Sequence, residues 1–256
     1  MPLRDLVSTR ARAGAAHFAL SAAIALVVFV VIYALWYPWG LFAVAGGRDL
    51  FVLIAAVCVV TGPVLTFIVF VHGKKGLGFD LVMIALLQAG ALAYGIHVLY
   101  VSRPVYLVFV KDRFELVRAN DIAPAELAKA RGAFAELPKG GPQVVGARVP
   151  SDQEEAMRIM FSAMAGVDLQ YFPQHYVAYD GVRGEARTRG GTIASLRKLN
   201  AASAAEIDSL METLGRPEQD VRFLPVRAGK RDHTALIDAR DGSVLRVVAL
   251  RPWEFK

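Results

Sequence analysis

The residue types that carry most enzymatic chemistry are thinly spread along this chain. The single cysteine, Cys58, excludes an intramolecular disulfide and a cysteine-rich zinc site, and it lies in an apolar run where a thiol is usually inert. His175 and His233 have no metal-ligand spacing, and no phosphate-binding loop, dinucleotide fingerprint or nucleophile elbow is present. The sequence therefore predicts no catalytic residue, no metal site and no cofactor.

One apolar run contains residues suited to contact between helices. Within Thr61–Thr66, Pro63 follows Gly62, and a proline inside a helix removes a hydrogen bond and kinks the helix. The hydroxyls of Thr61 and Thr66 can satisfy the backbone groups that such a kink frees. The pattern predicts a kinked packing helix, or alternatively a groove at the kink that receives another helix.

A later apolar run carries polar and small residues together. Ala91 and Gly95 have the small-xxx-small spacing that permits close helix approach. Gln88 and His97 are polar side chains in apolar surroundings, and we expect each to hydrogen-bond another helix of the same protein.

These residues belong to three apolar stretches that the composition also indicates. Hydrophobic residues make up 55% of the 256 residues, charged residues only 20%, and the mean hydropathy is +0.41. The stretches run from about Ala13 to Tyr37, Leu50 to Val71 and Leu81 to Val101, and none contains Asp, Glu, Lys or Arg. Each has the roughly 20 apolar residues that a transmembrane helix needs. The sequence predicts a three-helix transmembrane domain over residues 1–101.

The flanking charges predict how these helices are oriented. Arg4, Arg10 and Arg12 precede the first stretch, and Lys74 and Lys75 lie between the second and the third. The positive-inside rule puts both flanks in the cytoplasm, so three crossings leave residues 102–256 on the outside, which is the periplasm in a bacterium. A cleaved signal peptide is the alternative, but the first apolar run exceeds the 7–15 residues of a signal-peptide core.

The back half predicts a small α+β domain with an antiparallel sheet over residues 102–256. Its expected strands are Val105–Val110, Arg113–Arg118, Val221–Val226, His233–Ala239 and Val244–Leu250. Its expected helices are a weak one over Ala123–Ala135 and two that begin at the capping boxes Ser151–Glu154 and Ser203–Glu206. The methionine stripe at residues 157–164 is expected in the core, and Gly184–Gly191 as a mobile loop.

The ordered set of motifs resembles the type IV pilin accessory protein family, the TfpX/TfpZ-like proteins of Gram-negative bacteria. The similar residues are Tyr37-Pro38, Gly62-Pro63-Val64-Leu65-Thr66, Lys74-Lys75, Asp80, Gln88, Ala91-Leu92-Ala93-Tyr94-Gly95, Arg103-Pro104-Val105, Arg113-Phe114 and Asp121-Ile122. The family often has an aspartate shortly before the Gly-Pro step, and the corresponding position here looks like Cys58. Beyond about residue 125 the likeness is one of layout only.

This resemblance implies a non-enzymatic inner-membrane protein that assists type IV pilus biogenesis as a chaperone or modulator of a pilin subunit. The partners implied are the pilin's membrane helix, its head domain and membrane lipid. On this hypothesis Gly62, Pro63, Thr66, Gln88, Tyr94 and Gly95 form or support an intramembrane groove for the pilin helix, and Arg103 and Pro104 fix how the outer domain leaves the bilayer.

Three other functions can be considered, namely those of a membrane enzyme, a periplasmic ligand sensor and a nucleic-acid-binding protein. A membrane enzyme acting on pilin or envelope components predicts a deep polar pocket in the outer domain. A periplasmic ligand sensor is disfavoured because the cytoplasmic segments are very short. Nucleic-acid binding is not expected despite the net charge of +6, because basic and acidic residues alternate in the back half.

Overall fold

The computed structural model describes residues 3–229 and 231–253, and the outer limits of both predicted domains, at residues 1 and 256, lie outside the described residues. The helices are α1 (Leu3–Trp36), α2 (Leu41–Val44), α3 (Gly47–Ala56), α4 (Gly62–Val69), α5 (Leu77–Val101), α6 (Pro124–Leu127), α7 (Gln153–Met164), α8 (Arg183–Arg189), α9 (Ile193–Leu199) and α10 (Ala204–Leu214). The strands are β1 (Pro104–Val110), β2 (Arg113–Arg118), β3 (Gln143–Ala147), β4 (Tyr176–Ala178), β5 (Gly191–Thr192), β6 (Val221–Ala228), β7 (Arg231–Asp238) and β8 (Val244–Val248).

The chain forms two compact units. The helical unit contains the chain up to Leu35 and Gly46–Val101, and the sheet unit contains Trp36–Ala45 and the chain from Ser102 onward. This division differs from the single boundary predicted after residue 101, because ten residues between the first two apolar helices belong to the sheet unit.

The helical unit contains three helices that are long and apolar enough to cross a bilayer. Among the described residues they extend over Val7–Trp36, Gly47–Val69 and Leu77–Val101, so three long apolar helices lie where the sequence predicts them. The second is composite, because a π-helical segment, Val57–Thr61, joins α3 to α4. The Gly62-Pro63 step therefore sits directly after a π-helical turn rather than at a simple kink.

The sheet is mixed, which corrects the prediction of an antiparallel sheet. Its strand order is β4-β3-β1-β2-β6-β7-β8, with β5 paired to β6. The pairs β1–β3 and β2–β6 are parallel, and the remaining pairs are antiparallel. Two parallel neighbouring strands are far apart in the sequence and are joined by a long crossover connection. Their pairing therefore cannot be predicted from turn residues between them.

The local strand predictions are confirmed with small shifts of their ends. β1 and β2 form a hairpin across Lys111-Asp112, and Lys111 adopts a positive φ of 57° in its turn. Strands β7 and β8 are also antiparallel neighbours, and Gly242 in their connection has a φ of 73°. Hairpins can be predicted from sequence because the turn residues and the alternating apolar and polar residues of the two strands lie close together in the chain.

Three predictions in the middle of the sheet unit are wrong. Gly184–Gly191 is mostly helix α8 rather than a mobile loop. The expected helix over Ala123–Ala135 is only the short α6 followed by a 3₁₀ turn. Helix α7 begins one residue later than the capping box implies, because the side chain of Asp152, not Ser151, accepts the backbone N–H of Glu155 at 2.8 Å.

The methionine stripe of α7 lies on the surface, which corrects its predicted place in the core. The exposed fractions are 48% for Met157, 57% for Met160, 57% for Phe161 and 83% for Met164. The side of α7 that packs inward carries Ile159, which belongs to the core cluster under β1 and β3. A helix with apolar residues on two sides can bury only one of them, and sequence periodicity does not say which.

The segment Trp36–Ala45 joins the sheet unit through buried side chains and backbone contacts. The indole N–H of Trp36 donates to the Lys139 carbonyl at 3.2 Å, and the guanidinium of Arg118 donates to the Ala45 carbonyl at 2.9 Å. Gly40 has a φ of 83°, and a Cβ there would lie 2.8 Å from the Val247 carbonyl of β8. The segment therefore lies against the last strand of the sheet, and only glycine fits at its closest approach.

Candidate functional site

Three polar side chains of the helical unit, those of His17, Thr66 and Gln88, form one hydrogen-bond network. The imidazole of His17, on α1, has Nδ1 2.5 Å from Thr66 Oγ1 and Nε2 2.5 Å from Gln88 Oε1. The Gln88 amide Nε2 donates to the backbone carbonyl of Cys58 at 2.7 Å. All three apolar helices are thereby joined by side-chain hydrogen bonds.

The Cys58 carbonyl determines which atoms of the Gln88 amide donate and which accept. Because the Cys58 carbonyl can only accept, the Gln88 amide must present its NH₂ there and its oxygen to His17. The amide oxygen accepts from Nε2–H of His17, and Nδ1 of the same ring lies within hydrogen-bond distance of the Thr66 hydroxyl. A flipped Gln88 amide would bring two acceptors together at Cys58, so the geometry fixes the amide orientation and puts a proton on Nε2 of His17.

The need for this network follows from Pro63. In the i→i+5 register of a π-helix, the Cys58 carbonyl pairs with the nitrogen of residue 63, and a proline nitrogen carries no hydrogen. Gln88 supplies the missing donor. Gly62 makes this possible, because a Cβ at that position would overlap the Gln88 amide.

An apolar slot lies between the three helices beside this network. Its volume is about 230 Å³, and its walls are almost entirely apolar. The network residues His17, Cys58 and Gln88 line it together with small residues such as Ala25 and Ala89. A slot of this kind can accept an alkyl chain or the side chains of another transmembrane helix.

The other predicted residues of the groove lie in different surroundings. Gly95 packs against α3, where a Cβ would meet Ile54 Cγ2 at 2.6 Å, as its small-residue spacing predicts. Tyr94 is 71% exposed and is not among the residues that line the slot. His97 is also exposed, and within the described residues its side chain makes no hydrogen bond to another helix, so that expectation is wrong.

Pro63, Arg103 and Pro104 are not among the residues that line the slot. Pro63 borders a shallow groove on the side of α1 that carries Gly14. Arg103 and Pro104 belong to the sheet unit, where the Arg103 guanidinium donates to the Pro138 carbonyl at 2.7 Å and Pro104 begins β1. Of the eight predicted residues, the structure brings Gly62, Thr66 and Gln88 into the network.

The sheet unit contains a cluster of ion pairs around Arg158, and these ion pairs stabilise its fold. Arg158 donates to Glu155 at 2.6 Å and to Glu126 at 3.3 Å, and His175 Nε2 lies 3.0 Å from Glu155. Hydrogen bonds from Arg158 lower the pKa of Glu155 to about 2, with a further contribution from His175. Among the described residues, no three His, Cys, Asp or Glu side chains are grouped so that they could hold a metal ion.

His17 is the site residue that sequence reasoning missed. It stands near the beginning of the first apolar stretch, and the available signal was its polarity within an apolar run. The predicted role of Thr66 also changes, because its hydroxyl bonds His17 whereas Gln88 satisfies the backbone.

Comparisons with known proteins place this chain among pilus-assembly proteins. It is 28% identical over 241 residues to the fimbrial assembly protein of serogroup E1 and, equally, to that of serogroup I from Dichelobacter nodosus, covering 93% of this chain and 94% of each relative. It is 35% identical over 116 residues to the fimbrial assembly protein of serogroups C1 and C2 from the same organism, covering 44% of this chain and 88% of that protein. No protein-family model and no solved structure matches the chain. The chain belongs to the family of fimbrial assembly proteins.

Proposed function

We propose that this protein is a TfpX/TfpZ-like accessory protein of type IV pilus biogenesis, a chaperone or modulator that binds a pilin subunit in the inner membrane. Its family membership supports a role in pilus assembly. The slot between α1, α3 and α5 is the observation that carries the binding role. Side chains of the pilin's transmembrane helix enter the slot, and the sheet unit faces the pilin head in the periplasm.

Packing energetics support an apolar occupant for the slot. An apolar space of about 230 Å³ that stayed empty would leave the residues of its walls without packing partners, which is unfavourable. Lipid chains or the side chains of another helix fill such a space in a membrane. Helices associate in lipid through close packing and hydrogen bonds, and a slot with small wall residues offers close packing.

The network supports a preformed slot. His17, Gln88 and the Cys58 carbonyl hold the three helices at fixed positions on one side of it. A client helix therefore need not order these side chains on binding, which lowers the entropy cost of association.

A matched pair of substitutions in α1 tests the proposal. Ala25 is half-buried and lines the slot, whereas Ala23 is exposed and does not line it. We expect Ala25→Leu to fill the slot and to reduce pilin co-purification and surface piliation several-fold, and Ala23→Leu to leave both unchanged. These alanines test the slot better than Gly95→Leu does, because a leucine at Gly95 collides with Ile54 and disturbs the fold.

The measurements are pilin recovered with the affinity-tagged protein and pili sheared from the cell surface. Both variants are compared at equal protein level in membranes. If Ala25→Leu supported normal piliation and pilin recovery, the slot would not be the binding site.

A further inference from the structure

The exposed side of α7 is an apolar surface in the middle of a polar unit. Met157, Met160, Phe161 and Met164 form it, and we name these four residues the Met face. Methionine side chains are flexible and polarisable, so surfaces built from them adapt to apolar partners. Contiguous exposed apolar groups of this kind mark interaction sites.

A groove of about 400 Å³ runs beside the Met face. Met157 and Met160 form part of its wall, and Val110, Ile159 and Leu169 add apolar contact. The groove can receive a large apolar side chain of a partner.

Acidic groups border this surface. Glu154 is exposed in the first turn of α7, Asp152 caps the same end, and Asp168 follows the other end. Asp168 and the buried Glu115 both line the groove, and burial, with a smaller contribution from Asp168, raises the pKa of Glu115. The C-terminal end of α7, which has no basic residue in its last turn, adds partial negative charge.

Two of the nearby cations form ion pairs with acids other than Glu154 and Asp168. Arg158 is held by Glu155 and Glu126 and lies 4.9 Å from the centre of the Phe172 ring. Arg113 is paired with Glu115 at 2.8 Å. Within the described residues, Lys111 is the one cation lining the groove that has no ion-pair partner.

We propose that the Met face and its groove bind a basic amphipathic segment of a protein partner. The apolar side chains of that segment pack on the Met face, and its Lys or Arg side chains meet Glu154 and Asp168. The charge of the border selects this occupant, since an anionic bilayer surface would be repelled by the same acids. The inference does not depend on the slot in the helical unit.

Direct binding of a defined peptide tests the inference. The full chain is placed in nanodiscs of zwitterionic lipid and titrated with a fluorescein-labelled amphipathic peptide of Leu and Lys, and with one of Leu and Glu that has the same apolar pattern. Fluorescence anisotropy is expected to show that the Leu/Lys peptide binds about tenfold more tightly, a difference that added salt reduces.

Variants assign the binding to the proposed surface. Met160→Ser is expected to weaken Leu/Lys peptide binding about tenfold, because it removes exposed apolar contact without disturbing the core. Glu154→Gln is expected to weaken it about threefold, whereas Glu212→Gln, at an exposed acid on α10, leaves it unchanged.

Four results would overturn the inference. Equal affinity for the two peptides, or an affinity that Met160→Ser does not change, would remove the proposed partner chemistry. Stronger binding to vesicles containing anionic lipid, lost in Met160→Ser, would make the surface a membrane contact. A dimer that Met160→Ser dissociates would make it a contact between copies of this chain.

Discussion

Several residues of the helical unit together provide the Cys58 carbonyl with a hydrogen-bond donor. Pro63 removes the donor that the π-helical turn would supply, Gln88 replaces it, and Gly62 leaves space for the replacement. His17 then holds the Gln88 oxygen. A polar group without a partner is costly in an apolar setting, so these four residues depend on each other.

Gly62→Ala is predicted to break this arrangement. Its methyl group displaces the Gln88 amide and leaves the Cys58 carbonyl without a donor, which lowers the free energy of unfolding by about 1–2 kcal/mol. Gly90→Ala on α5 is the control, because a Cβ there meets nothing within 4 Å. Circular dichroism during unfolding by SDS measures both variants, and equal stability of the two would contradict the assigned role of Gln88.

Glu155→Gln is predicted to destabilise the sheet unit in a pH-dependent way. The pKa of Glu155 in the folded state is about 2, below its ordinary value of 4.5, so its ion pair stabilises the fold above pH 4.5 and is lost as the pH falls toward 2. We expect a loss of roughly 1–2 kcal/mol at pH 7 that shrinks below pH 4.5.

Urea unfolding followed by tryptophan fluorescence measures this loss, because Trp36, Trp39 and Trp253 all belong to the sheet unit. Glu154→Gln, one residue away and exposed, is the control. A loss that stayed constant from pH 7 to pH 3 would exclude the ion pair as its cause.

At the scale of elements, α7 has a different role from the one its sequence pattern predicts. Its inward side joins the core through Ile159, and its methionines remain outside. Its N-terminus is capped by Asp152, although Ser151 and Glu154 match the capping-box spacing. The side chain one residue nearer the helix has the shorter path to the free N–H of Glu155.

Substitutions can show whether Asp152 or Ser151 caps the N-terminus of α7. Asp152→Ala should lower the free energy of unfolding of the sheet unit by about 1 kcal/mol, and Ser151→Ala should change it little. The same tryptophan-monitored urea titration measures both. A larger effect of Ser151→Ala would restore the capping box that the sequence suggests.

The elements that sequence could predict are those defined by local signals. The β1–β2 hairpin and the C-cap Gly215, whose φ is 60°, follow from residues within one turn. The parallel pair β2–β6 and the docking of Trp36–Ala45 depend on residues about a hundred or more positions apart. At the site, the sequence was enough to single out the polar side chains of α4 and α5. Their hydrogen bonds to His17 could not be predicted, because these bonds depend on how the three helices pack.

At the scale of the whole molecule, the proposed orientation can be tested independently of any partner. The charge pattern predicts that the Lys74–Lys75 turn lies in the cytoplasm and the sheet unit in the periplasm. Alkaline phosphatase fused at the C-terminus should be active, and the same enzyme inserted after Gly73 should be inactive. The reverse pattern would invert the orientation, and activity at both positions would remove the third crossing.

The most direct test of the central claim is cysteine crosslinking from the slot. In a Cys58→Ser background, a cysteine small enough to leave the slot open replaces Ala89, which lines the slot, or Leu87, which is 61% exposed and two residues away on α5. Oxidation then joins this cysteine to one placed in the pilin's transmembrane helix. In cells that express the pilin, we predict a crosslink to the pilin's transmembrane helix from position 89 and little from position 87. Crosslinks to pilin from position 87 alone, or from neither position, would contradict binding in the slot.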